Sequence, residues 1–192
     1  MKKLVIVIFS IFIGSCDLFD TRVAERPQEP RSDYQNAFTP EDLISNLINS
    51  LKDKVVENYL SCLSDPAKTS KIFSFLPSSE ALAQFPALGD NWGTINEGDY
   101  FRNLIIKIPV DSTIRLTFSN TSSSSHGGDS ITFVASYSLH AFFTDVTIPN
   151  DYQGDLIFDF VKDSQSIWSI YSWRDIKSSN LPSWSELKGR FY

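Results

Sequence analysis

"SITFVASYSLHAFF" (residues 130–143) decides the fold class. Ile131, Phe133, Ala135, Tyr137 and Leu139 fall on alternate positions. Thr132, Ser136, Ser138 and His140 fill the gaps. A period of two over this length is the signature of a β-strand with one face in a core and one in water. No helix can sort these residues, because a 3.6-residue period would mix the two sets.

The same period recurs on both sides. "TIRLTFSN" (113–120) sets Ile114, Leu116 and Phe118 against Arg115, Thr117 and Ser119. The composition of "TSSSSHGG" (121–128) predicts a loop. Downstream, "DLIFDFVK" (155–162) and "IWSIYSWRDI" (167–176) predict a hairpin turning at Lys162–Ser166. In the last strand Trp168 and Ile170 compete with Tyr171 and Trp173 for the inner face. Alternation alone leaves both choices open.

Upstream the period is helical. Thr39-Pro40-Glu41-Asp42 combines a capping side chain, a proline suited to the first turn and an acid that can complete a capping box. Leu43, Ile44, Leu47, Ile48, Leu51 and Val55 then follow at helical spacing, and Tyr59, Leu60 and Leu63 extend the stripe. Lys52-Asp53-Lys54 is a natural break, and Asp65-Pro66 a stop. "KIFSFLP" (71–77) predicts a short strand, and Ser78 or Ser79 caps a brief helix ending by Phe85. "NEGDYFRNLIIKIP" (96–109) is assigned to helix because Tyr100, Phe101, Leu104, Ile105 and Ile108 recur at helical spacing. Helices first and long strands second predict an α+β domain, with N-terminal amphipathic helices packed on an antiparallel sheet.

The order of "ENYLSCLSDP" (57–66), "W…EGDYFRNL" (92–104), the strands and "WSIYSWRD" (168–175) resembles the nuclear transport factor 2-like superfamily. That superfamily includes ketosteroid isomerase and scytalone dehydratase. The resemblance covers about residues 39–176 and rests on element order and apolar pattern. It implies a strongly curved, cone-shaped sheet (a cystatin-like roll) around helices, with a pocket at the wide end. It also resembles lipoprotein members that close on a segment like "SWSELKG" (183–189). Members of the superfamily often dimerise through the sheet, so a homodimer is one implied partner.

The N-terminus carries a different message. Met1-Lys2-Lys3 precedes Leu4–Ile13, apolar apart from Ser10 and too short for the roughly 20 residues of a membrane span. It fits the core of a secretory signal peptide. Ile13-Gly14-Ser15-Cys16, inside "IFIGSCDLFD" (11–20), resembles a bacterial lipobox. The resemblance implies a signal peptide over residues 1–15, acylation of Cys16, and a cell-envelope lipoprotein held to a membrane by its lipid. Residues 16–38, with Pro27, Pro30 and mixed charge, predict a flexible tether of roughly 25 Å by coil scaling. The domain is expected over 39–192. With Cys16 acylated, Cys62 has no disulfide partner and is expected to be a small buried hydrophobe.

Formal charge is −6, and −8 without the first fifteen residues. Such a balance disfavours nucleic acid as a partner, since phosphate neutralisation needs clustered bases. His126 and His140 are the only histidines, and no metal-ligand spacing, phosphate loop or nucleophile elbow occurs. No metal or cofactor is expected.

Two kinds of site remain. Trp92, Phe101, Tyr137, Phe158, Tyr171 and Trp173 could line an apolar pocket, although core packing explains such residues as well. His140 and Asp159, with Arg174 and Asp175, are the acid/base candidates. A solvated strand face accounts for His140 and Asp159. The expectation is a non-catalytic domain that binds a small apolar ligand or a protein partner. The alternatives are a small isomerase, dehydratase or hydrolase, and a structural subunit dimerising through its sheet.

Overall fold

The computed structural model describes residues 33–192. The expected signal peptide, Cys16 and most of the expected tether lie outside the described residues. Helix α1 spans Pro40–Asp53 and opens with the expected box: Thr39 Oγ1 accepts from Asp42 N at 3.1 Å, and Asp42 Oδ2 accepts from Thr39 N at 3.0 Å. Leu43, Leu47 and Leu51 turn inward. The break falls at Lys54, whose backbone is left-handed (φ 58°). Its ammonium donates to the carbonyls of Pro109, Val110 and Ser112 at 3.1, 2.9 and 2.7 Å, pinning a distant loop. Helix α2 (Val56–Ser61) follows.

Strand β1 is Ser74–Leu76 and α3 is Ser79–Gln84, capped by Ser78. A 3-10 turn at Pro86–Gly89 leads to α4, Thr94–Ile106. Four long strands then form a meander: β2 (Arg115–Ser125), β3 (Ser130–His140), β4 (Asp151–Lys162) and β5 (Trp168–Ile176). Helix α5, Trp184–Phe191, ends the chain.

The α+β class holds, with helices packed on one sheet. The sheet is mixed, however, in the order β1-β5-β4-β3-β2, and the all-antiparallel expectation is corrected at one edge. β1 pairs with β5 in parallel, Ser74 opposite Ser172 and Leu76 opposite Arg174. A three-residue strand has no readable period, so its direction is set by where the chain returns to the sheet. Its outer edge is partly satisfied too, since Phe75 N donates to Trp92 O at 3.1 Å.

Two bulges shape the sheet. In β2 the register slips between Ser119 and Ser122, with Asn120 left-handed at φ 51°. The strand then continues to Ser125, so most of the expected serine loop is strand. Backbone pairing with β3 (Ser122 opposite Val134, Ser125 opposite Ile131) outweighs the turn-like composition. In β5 the partners step from Ser172 to Ile170, leaving Tyr171 as the extra residue. A single extra residue inverts the inward parity. Trp168 and Ile170 are therefore buried before the bulge, and Trp173 and Asp175 after it. Trp168, Ile170 and Trp173 thus all face inward, and Tyr171 alone of the four does not.

Packing starts before the expected boundary at residue 39. Asn46 in α1 donates from Nδ2 to Gln35 O at 2.6 Å and accepts from Gln35 N at 3.2 Å. Trp168 N donates to Ala37 O at 2.8 Å, and Ala37 is buried. The end of the expected tether is thus an arm of the domain, because these buried polar groups need its backbone as partner. No described helix is long and apolar enough to cross a membrane.

Candidate functional site

The curved sheet and helices enclose an interior that is filled. β3 contributes Phe133, Ala135, Tyr137 and Leu139, and β4 contributes Tyr152, Leu156, Phe158 and Phe160. α5 supplies Trp184, Leu187, Lys188 and Phe191, all buried. The Trp184 ring stands edge-on to Trp173, centroids 4.5 Å apart, and its Nε1 donates to Tyr100 Oη at 3.0 Å.

A polar network runs through this interior. Glu97 of α4 is fully buried. Its Oε2 accepts from Tyr59 Oη at 2.7 Å and its Oε1 from Trp92 Nε1 at 2.7 Å. Oε1 also accepts from Lys188 Nζ of α5, likewise fully buried. The Lys188 ammonium lies 3.5 Å from the ring centroid of Trp173 and 3.7 Å from that of Phe75. Burial pulls Lys188 down to about 8, against the opposing influence of the Glu97 carboxylate.

A second knot surrounds Asp175. Its Oδ1 accepts from Tyr137 Oη at 2.7 Å, and its Oδ2 from Ser185 N at 2.8 Å and from Ser185 Oγ. Tyr137 Oη in turn accepts from Trp184 N at 2.7 Å. The first turn of α5 therefore gives its free amides to β3 and β5. Gly154 leaves room for this: a Cβ there would lie 2.7 Å from Tyr137 Oη and 2.6 Å from Ile176 O. Burial raises Tyr59, Tyr100 and Tyr137 well above the ordinary tyrosine range, and nearby carboxylates add to the rise.

Of the six pocket candidates, Trp92, Phe101, Tyr137, Phe158 and Trp173 are buried in this packed interior, while Tyr171 sits half-buried at the β5 bulge. The acid/base candidates separate. His140 and Asp159 occupy the outer sheet face. His140 Nδ1 meets Asp151 Oδ1 at 2.7 Å, and Asp159 Oδ1 accepts from Thr132 Oγ1 at 2.6 Å. Arg174 is exposed, and only Asp175 enters the interior. Cys62 is buried, with its thiol pushed far up by desolvation. Among the described residues no group of three or more His, Cys, Asp or Glu could hold a metal ion.

Sequence reasoning missed Glu97 and Lys188. Both carry a signal in retrospect. Glu97 shares a face with Tyr100, Phe101 and Leu104, and Lys188 shares one with Trp184 and Phe191.

Open spaces border this interior and share some of its walls. A groove of about 390 Å³ runs between α1 and β2, with Ile44, Phe118 and Phe133 at its base and Glu41, Ser45 and Ser122 at its rim. It meets β2 at the bulge. A cleft of about 550 Å³ lies beside β1, lined by Ile72, Leu76, Leu82 and Trp92 among others. Both volumes fall in the range of roughly 300–1,000 Å³ found for small-molecule sites.

No protein-family model matches this sequence, and no curated protein matches it either. Solved structures do match in shape. A Novosphingobium aromaticivorans protein provisionally described as an aromatic ring hydroxylase superposes with a TM-score of 0.56 at 12% identity, over 85% of this chain and 99% of its own. The beta subunit of the benzoate 1,2-dioxygenase from Burkholderia mallei gives 0.52 at 14% identity, over 75% and 93%. A nuclear transport factor 2-like protein from Cytophaga hutchinsonii gives 0.51 at 12% identity, over 72% and 94%. Likeness at these identities is likeness of fold, and the domain of this chain has the nuclear transport factor 2-like cone fold.

Proposed function

We propose that this chain is a cell-envelope lipoprotein, anchored through lipid on Cys16, whose cone domain binds a small apolar ligand rather than turning one over. The observation that carries the non-catalytic reading is the occupied cone. In a catalytic site of this shape a titratable group must face bound substrate. Here the interior carboxylates Glu97 and Asp175 are satisfied by Tyr59, Trp92, Lys188, Tyr137 and Ser185. The acid/base candidates His140 and Asp159 stand on the solvated face, paired with Asp151 and Thr132.

The groove between α1 and β2 is the place for the ligand. Phe118 and Phe133 meet edge to face at 5.9 Å and offer an aromatic base under a polar rim. The outer sheet face, by contrast, carries Thr117, Ser136, Ser138, Asp155 and Arg174, a polar composition poorly suited to a permanent dimer.

Two readouts test the reading. Growth with a labelled fatty acid should label the wild-type chain and leave Cys16→Ser unlabelled; label persisting in the variant removes the anchor. Titration with 1-anilinonaphthalene-8-sulfonate should perturb the amide resonances of Ile44, Phe118 and Phe133. Perturbations that avoid these residues, or that survive Phe118→Ala undiminished, remove the groove.

A further inference from the structure

The interior built around Lys188 has the make-up of a receptor for a cation. Aromatic rings attract an ammonium through their negative faces, most strongly where water is excluded. Trp173 and Phe75 lie 3.5 and 3.7 Å from Lys188 Nζ, and Tyr100 and Trp92 flank it at 5.7 and 6.0 Å. A carboxylate completes the cage. Glu97 is oriented by Tyr59 Oη and Trp92 Nε1, groups that belong to α2 and to the segment before α4.

None of these groups comes from α5. Phe75 is in β1, Trp173 in β5, Tyr100 and Glu97 in α4. The cage and its counter-charge are thus held by the body of the domain. The ammonium alone arrives on the last helix, 91 residues along the chain from its carboxylate. A buried ammonium is expensive unless paired, so the body is arranged to accept one. We infer that the cone holds a binding site for a primary ammonium group on a slim alkyl stem, and that this chain fills the site itself with Lys188. The inference goes beyond the binding reading, since it concerns the cone interior and a charged group rather than the groove and an apolar ligand. It does not depend on the α1–β2 groove or on the lipid, and fails separately from them.

The test uses the deleted fragment as ligand. Lys188→Ala removes the equivalent of n-propylammonium and leaves its space beside Glu97. Thermal unfolding of the full chain is followed with n-propylammonium, and in parallel with n-propanol, a neutral molecule of similar shape. At tenfold excess over its dissociation constant the amine should raise the Tm of Lys188→Ala by about 3–6 °C. It should leave the wild type unmoved, because the site is already filled. The gain should vanish in Lys188→Ala/Glu97→Gln.

Equal stabilisation by propanol would mean a cavity without charge recognition, and would overturn the inference. So would no stabilisation by either molecule. Should Lys188→Ala not fold unaided, its refolding yield replaces the Tm. A yield raised by the amine and not by the alcohol supports the site, and a yield indifferent to both overturns it.

Discussion

Lys188→Met should cost about 3–5 kcal/mol of folding stability, the usual result of stripping one partner from a buried ion pair. The variant keeps the length and apolar stem of the side chain, so the packing against Trp173 and Phe75 is largely retained. What it removes is the charge opposite Glu97, whose side chain and that of Lys188 are fully shielded from solvent. Glu97→Gln should be costly for the mirror reason, since it leaves an ammonium with no counter-ion. The double variant Glu97→Gln/Lys188→Met should lose much less than the sum of the single losses, because neither member then strands a charge. Urea unfolding of the three variants measures this coupling. Additive losses would mean that the two groups do not act as a pair, and a stable Lys188→Met would mean that Glu97 needs no cation.

The parts of the fold legible in the sequence are those where one local signal dominates. Thr39, Pro40 and Asp42 define the start of α1 without help from tertiary contacts. Lys54 ends it where three charged residues interrupt the stripe. The long alternation of β3 survives into the structure, with Phe133, Ala135, Tyr137 and Leu139 all inward. In each case burial and local propensity ask for the same thing.

Where they disagree, the sequence misleads. Ser122–Ser125 have the composition of a loop and lie in β2 because β3 supplies hydrogen-bond partners. β1 is too short for a pattern and is defined by its neighbour β5. The inner face of β5 could not be chosen by counting, since the bulge at Tyr171 changes the count halfway. Aromatic residues able to line a cavity are equally able to fill a core. Five of the six pocket candidates are buried, with Phe158 against Trp173, Trp173 and Tyr137 against Trp184 of α5, Phe101 against Tyr59 and Trp92 against Phe75.

The central site was the least legible part. A lysine in "SWSELKG" (183–189) reads as solvated by default, because lysine is almost never fully buried unless paired. Its pair, Glu97, is remote in sequence, and no local spacing connects them. The amphipathic run Trp184, Leu187, Phe191 was the available clue. A closing helix with that much apolar area must pack somewhere, and Lys188 lies beside Leu187 on the packed side.

Trp184→Ala should then be among the most damaging single substitutions in the domain, at about 3–5 kcal/mol for loss of a fully buried large aromatic. The ring contacts Trp173 at 4.5 Å and Tyr137 at 5.6 Å between centroids, and its Nε1 is bound to Tyr100. Removing it takes away contacts that hold α5 in the cone and leaves a cavity in contact with β3, α4 and β5. The backbone amide of residue 184 still reaches Tyr137 Oη, so the helix start is not itself abolished. The loss should therefore be one of packing, and Trp184→Phe should recover a substantial part of it while leaving Tyr100 Oη without its indole donor. Hydrogen exchange adds a local readout. Amides of α5 from Leu187 to Phe191 should exchange faster in Trp184→Ala than the stability loss predicts, because α5 loses its ring contacts with Trp173 and Tyr137 and its bond to Tyr100. Protection of α5 that falls only in step with global stability would show that the helix does not open on its own, and that the filled cone unfolds as one unit.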